Sequence, residues 1–233
     1  MRRVALATVG LSAILAAPAR AQVGVSISAL SNDTFRGRSL SAGQPVASFN
    51  LSYDDPSGLY GGGSVTGVET TDDGPQLLGY QEYLGYARRL DAGPTLDMGV
   101  VNTNYTSRFS GGYNANYTEL YAGIITNHFS SHLYYSPDYF RAGLSTLYGE
   151  VDGVVNPFGN WRFTAHAGLL QQISGAQRLG PGRTFADWRL GVAEKVGPFD
   201  LQVAWTGAGP GQDSYGGQKR GHDALVFGVS YSF

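Results

Sequence analysis

The sequence has no cysteine, only two methionines in 233 residues, and charged side chains at just 15% of positions. Without thiols it can build neither disulfide staples nor thiolate metal centres. A formal net charge of −2 excludes the strongly basic face that nucleic-acid binding requires. No stretch of the chain beyond its N-terminal leader approaches the roughly 18 consecutive apolar residues of a spanning helix, and the mean hydropathy of −0.16 is too polar for a helical membrane protein. What is abundant is glycine (34), tyrosine (15) and phenylalanine (11), within a chain that is 42% hydrophobic. The glycines follow no Gly-X-Y period, which rules out collagen, and the hydrophobic share rules out disorder. A strand-built, glycine-rich and aromatic protein remains.

The N-terminus reads as an export signal. Met1, Arg2 and Arg3 form a positive leader, Val4 to Leu15 an apolar stretch too short to span a bilayer, and Ala19-Arg20-Ala21 a small-x-small cleavage pattern. Residues 1–21 are therefore expected to be removed, leaving 22–233 as one domain. Loss of Arg2, Arg3 and Arg20 takes the net charge from −2 to −5. No cysteine follows the leader to carry a lipid.

Beyond it, period-two alternation recurs. Trp161, Phe163, Ala165, Ala167 and Leu169 share one strand face, and Arg162, Thr164, His166 and Gly168 the other. Trp188, Leu190 and Val192 oppose Asp187, Arg189 and Gly191, and Phe199, Leu201, Val203 and Trp205 oppose Asp200, Gln202, Ala204 and Thr206. Turn clusters divide the chain into about twelve such segments, starting near residues 23, 44, 58, 76, 94, 114, 127, 143, 159, 184, 198 and 222. Their connections alternate. Short ones fall at Asp54 to Ser57, Asp91 to Gly93, Thr126-Asn127, Asn156 to Phe158 and Val196-Gly197. Long polar ones are expected at Glu69 to Pro75, Ser107 to Tyr113, Ile173 to Arg183 and Gly207 to Gly221. Short turns at one end and long loops at the other predict an all-β fold: a single antiparallel, up-and-down transmembrane barrel of about 12 strands in the outer membrane of a Gram-negative bacterium. The last strand adds a second signal. Leu225, Phe227, Val229, Tyr231 and Phe233 alternate with small residues and end on an aromatic carboxylate; this resembles the terminal signature through which outer-membrane barrels pair with their assembly machinery, with Phe227, Val229, Tyr231 and Phe233 as the recognition face.

Residues Ser31-Asn32-Asp33-Thr34-Phe35-Arg36-Gly37-Arg38-Ser39 resemble the S-D-Y-x-F-R-G-x-S opening of the TorF-type porin family of proteobacterial outer-membrane proteins. Ser57-Gly58-Leu59-Tyr60-x-Gly62, Asp97-x-Gly99, Tyr117-x-Glu119, Tyr134-Tyr135-Ser136-x-Asp138-Tyr139, His166-x-Gly168 and Asp187-Trp188-Arg189-Leu190-Gly191 are similar to later landmarks of that family. Asn32 and Asp33 depart from its usual Asp-Tyr pair, and Arg38 stands where an apolar residue is usual. The resemblance implies a porin and carries no substrate.

Twelve strands at ~4.8 Å spacing and ~40° tilt give a barrel of roughly 24 Å diameter and, inside the side chains, a passage of about 10 Å or less. A charge on the lipid face costs about 2–4 kcal/mol at mid-depth, so the polar faces belong inside. Expected pore-lining residues are Asp97, Tyr117, Glu119, Tyr121, Glu150, Asp152, Arg162, His166, Asp187, Arg189 and Gln202, with Arg36 at the mouth beside a positive-φ turn at Gly37. Glu150 and Asp152 are expected opposite Arg162. Two uses of these charges stand open. They can orient polar solutes and ions in a weakly cation-preferring channel, or pair with one another and plug a structural barrel whose long loops bind an external partner. The expected partners are outer-membrane lipids, the assembly machinery and small polar solutes. No cofactor or metal is expected, because the four histidines lack ligand spacing and the acidic Glu69, Asp72 and Asp73 read as a solvated loop. A lipid-hydrolase reading rests only on His128-Phe129-Ser130, an H-x-S pair that an ordinary strand end explains equally well. The strand at 76–90 leaves its lumen face unassigned, since Glu82, Leu84 and Tyr86 compete with Tyr83, Gly85 and Arg89.

Overall fold

The computed structural model describes residues 21–91, 93–106, 115–175, 182–209 and 223–233. The expected signal at 1–21 falls almost wholly outside them, as do the connections at 107–113 and 210–221 and most of that at 173–183. Twelve strands close a barrel: β1 (Gln22–Leu30), β4 (Val46–Asp54), β5 (Leu59–Thr70), β6 (Gly74–Arg89), β7 (Thr95–Tyr105), β8 (Ala115–Ile125), β9 (Phe129–Ser136), β10 (Thr146–Val155), β11 (Trp161–Gln172), β12 (Thr184–Val196), β13 (Phe199–Gly209) and β14 (Asp223–Ser232). Every neighbour pair is antiparallel and sequential, and β1 closes the ring against β14 through Ser26↔Ser232 to Leu30↔Gly228. The predicted alternation is what makes closure possible, because each strand offers one face to each side of a curved wall. Outside lie Phe49, Leu51, Leu84, Met98, Leu120, Leu169, Leu190, Trp205 and Phe227, each between about a third and two thirds exposed. Aromatics at the short-turn end, Tyr53, Phe158, Trp161 and Phe199, face outward.

Two connections differ from the sequence reading. Strands β5 and β6 extend through the expected polar loop at Glu69 to Pro75 and leave only residues 71–73 as a turn. Within the same pair the register shifts after Thr66, which faces Gly79 while Gly67 faces Leu77. Leu78 is thus an extra residue on β6, so Leu78 and Gly79 are both buried in succession. The bulge reverses the inward parity along the strand; below it Tyr83 and Gly85 turn inward, and Glu82, Leu84 and Tyr86 outward, which assigns the face the alternation left open.

The connection from β1 to β4 carries a small hairpin, β2 (Thr34–Phe35) and β3 (Arg38–Ser39). Its turn residues Arg36 and Gly37 both have positive φ, 48° and 72°, the pattern of a type I′ hairpin turn. Arg36 and Gly37 therefore turn a separate hairpin, with the positive φ expected at Gly37.

Candidate functional site in the barrel lumen

All twelve sequence-predicted lining residues lie on the inward face or, for Arg36, at the tip of the hairpin that folds into the lumen. The interior has two unlike halves. On β5 to β10 it is built from phenol rings: Tyr60, Tyr83, Tyr117, Tyr121, Tyr134 and Tyr148. Each of several rings lies across an inward glycine of a neighbouring strand. A Cβ on Gly85 would overlap the Tyr60 phenol, one on Gly99 the Tyr121 ring, one on Gly62 the Tyr83 ring, and one on Gly168 the Tyr148 hydroxyl. Glycine and tyrosine are thus one packing device, in which the missing side chain lets a ring lie along the wall. On the other side Ser26, Ser28, Ser48, Asn50, Ser52 and Ser230 line β14, β1 and β4, and β11 to β13 mix Thr164 and Gln202 with Arg162, His166, Asp187, Arg189 and Asp200.

The hairpin crosses the loop end between these halves. A Cβ at Gly37 would meet the Ala208 side chain on β13 at 2.9 Å and overlap the Gly207 carbonyl, so only glycine allows this approach. On the other side, Arg36 Nη2 donates to both carboxylate oxygens of Glu119 on β8, at 3.0 and 2.9 Å. The guanidinium lies over the Tyr148 ring at 3.8 Å, a cation–π contact strengthened by exclusion of water. Arg36 Nε and Nη1 have no hydrogen-bond partner among the described residues. A second connection, residues 137–145, brings fully buried Tyr139 edge-on to Tyr117 with ring centres 4.9 Å apart.

Deeper in, charged groups are paired across strands. Tyr60 donates to Asp97 Oδ1 at 2.6 Å, and His132 Nε2 lies 2.9 Å from Asp97 Oδ2. Tyr134 donates to Glu150 at 3.0 Å. His166 reaches Asp152 through Nδ1 and Asp187 through Nε2, both at 2.9 Å. The expected apposition of Glu150 and Asp152 with Arg162 is not found. The β10–β11 register places Asp152 against His166 and Val155 against Phe163, which carries Arg162 below the end of β10. There Arg162 makes a two-pronged pair with Asp200 on β13, at 2.8 and 2.8 Å. Asp200, His132, Tyr60, Tyr134 and Tyr148 were not among the predicted lining residues. Asp200 shares the parity of Gln202, and Tyr148 that of Glu150 and Asp152, so for these two the signal was present. The others required knowledge of which ring meets which glycine.

The hydrolase pair does not form a site of that kind. His128 is exposed in the turn before β9, its backbone N–H directed at Thr126 Oγ1, while Ser130 faces inward opposite Asp152.

A closed antiparallel barrel with an apolar outer wall and an ion-paired interior defines the class of outer-membrane β-barrels. A family model described as a bacterial protein of unknown function (Gcw_chp) matches residues 16–233, and the chain belongs to that family. That description does not carry the TorF-type name. No curated protein matches. Among solved structures, the NanC porin has a TM-score of 0.63 at 10% identity, covering 89% of this chain and 98% of the porin. A membrane protein from a study of in-meso crystallization has a TM-score of 0.55 at 9% identity, over 91% and 83% of the two chains. The outer-membrane channel DcaP of Acinetobacter baumannii is a looser likeness, with a TM-score of 0.45 and 11% identity over 92% and 97%.

Proposed function

We propose that this protein is a porin-like passive channel of a Gram-negative outer membrane, exported by residues 1–21 and carrying ions and small polar solutes without catalysis. The observation that carries the reading is the run of short polar side chains on β14, β1 and β4, Ser230, Ser26, Ser28, Ser48, Asn50 and Ser52, which offers hydrogen bonds without obstructing bulk. Opposite it stands a wall of rings and paired charges, so the path for solute runs off the barrel axis. The β2–β3 hairpin narrows the loop end of this path. The likeness to a porin and the TorF-type resemblance point the same way. The outward Phe227 and Val229 of β14 and Phe233 just beyond it, with Tyr231 packed edge-on to Phe233 at 4.7 Å, are suited to recognition by the barrel assembly machinery. A second reading, a closed barrel whose loops bind a partner, is favoured by the Arg36–Glu119 contact across the mouth. Planar-bilayer recording tests the proposal: discrete, ohmic conductance steps support a channel, and their absence in heat-modifiable, folded protein supports the closed barrel.

A further inference from the structure

The sequence shows no metal-ligand spacing, yet the barrel brings Glu150, Asp152 and His166 together with one donor atom of each within 4.8 Å of the others. Asp152 and His166 are direct cross-strand partners, and Glu150 sits two residues along on the same inward face. Opposite Glu150 is Gly168, over which the Tyr148 hydroxyl and the Asp187 carboxylate lie. Asp187 on β12 takes His166 Nε2 at 2.9 Å, and the Tyr148 hydroxyl lies 3.1 Å from the same nitrogen. Asp187 fixes the ring through Nε2, the usual support of a metal-bound histidine, so a cation would take the place of the proton shared between Nδ1 and Asp152. Nδ1 points at Asp152 Oδ1 across 2.9 Å. Tetrahedral donors at about 2.0–2.1 Å from one ion lie roughly 3.4 Å apart, so replacing the proton of this hydrogen bond by a cation asks the two groups to part by only about 0.5 Å. Burial follows the same order. The supporting Asp187 side chain is 4% exposed, His166 19% and Asp152 30%, so the ligands face the water of the lumen and their support lies in the wall.

We infer that Glu150, Asp152 and His166 form a binding site in the lumen for a divalent transition cation of the Zn²⁺ type, with Asp187 as a positioning residue. Two carboxylates balance the charge of a divalent ion, and the imidazole selects against Mg²⁺ and Ca²⁺, which prefer an all-oxygen shell. Three protein donors leave coordination positions open to water or to a passing solute oxygen. The site does not depend on the barrel conducting.

The test uses the folded full-length barrel in detergent, titrated with Zn²⁺ against a chromophoric chelator, with Co²⁺ visible absorption as a second readout. One ion per barrel is expected. Asp152→Asn and His166→Gln, which keep shape and hydrogen bonding, should each weaken Zn²⁺ by at least tenfold, and Asp187→Asn by roughly 10–100-fold with an altered Co²⁺ spectrum. His128→Ala, in the exposed turn, should leave affinity unchanged. Heat-modifiable gel mobility confirms folding of each variant. Wild-type affinity no tighter than that of His166→Gln, loss of binding in His128→Ala, or displacement of Zn²⁺ by equimolar Mg²⁺ would each overturn the assignment.

Discussion

Arg36→Ala removes the charged contact with Glu119 that ties the hairpin tip to the opposite wall. In the native barrel Arg36 and Glu119 side chains are 7% and 4% exposed, so the pair is almost wholly shielded. Truncating the arginine strands the Glu119 carboxylate, and leaving one member of a buried pair alone costs about 3–5 kcal/mol. With tenfold per 1.4 kcal/mol, that shifts the balance between inserted and released hairpin by roughly two to three orders of magnitude. A released hairpin, two strands at ~4.8 Å spacing, vacates about half of a ~10 Å passage, so single-channel conductance should rise roughly twofold or more. Trypsin should then cut after Arg38, at the freed segment, in folded protein. The double variant Arg36→Ala, Glu119→Ala lacks the stranded charge and should sit between wild type and the single variant, as a coupled pair requires. A double variant as open as Arg36→Ala, or an unchanged conductance in the single one, would refute the reasoning.

The same connection should respond to pH. Burial pushes the Asp33 carboxyl up to about 6, above its unfolded value of 3.8, so the neutral acid favours the packed loop. Its contribution is complete below about pH 4 and lost as pH rises to about 6; conductance should increase across that window, and Asp33→Asn should flatten the profile. Gly85→Ala places a methyl against the Tyr60 and Tyr121 phenols and disturbs the Tyr60–Asp97 bond, so thermal unfolding should show a loss of about 1–3 kcal/mol. Asp200→Asn leaves Arg162 without its carboxylate partner at the short-turn end. The reversal potential in a KCl gradient should move toward anion preference, from the weak cation preference expected of the wild type; a shift the other way contradicts the proposed path.

Much of the fold was legible because a closed barrel is written in alternation. Every strand start read from turn residues lies within three residues of the observed one, as with Gly159 against Trp161 and Gly143 against Thr146. Strand parity placed Asp97, Glu119 and Asp187 inside without any knowledge of partners. Parity could not follow the bulge at Leu78, where one added residue reverses the faces. Nor does it report register: the length of the turn from β10 to β11 decides that Asp152 meets His166, and the β11–β12 and β12–β13 registers bring Arg162 to Asp200. The inserted hairpin was visible only as a positive-φ signal at Gly37, because Arg36 and Glu119 stand 83 residues apart in the chain. The metal-type cluster escaped for the same reason, its histidine and carboxylates being joined by sheet pairing.

Swelling of liposomes loaded with the wild-type barrel in neutral solutes of graded size tests the channel reading most directly. A polar, off-axis passage of about 10 Å or less predicts fast swelling in small sugars, slower swelling as size increases, and none in large oligosaccharides. Liposomes that hold folded barrel yet stay impermeable to the smallest sugar, in wild type and Arg36→Ala alike, would contradict it.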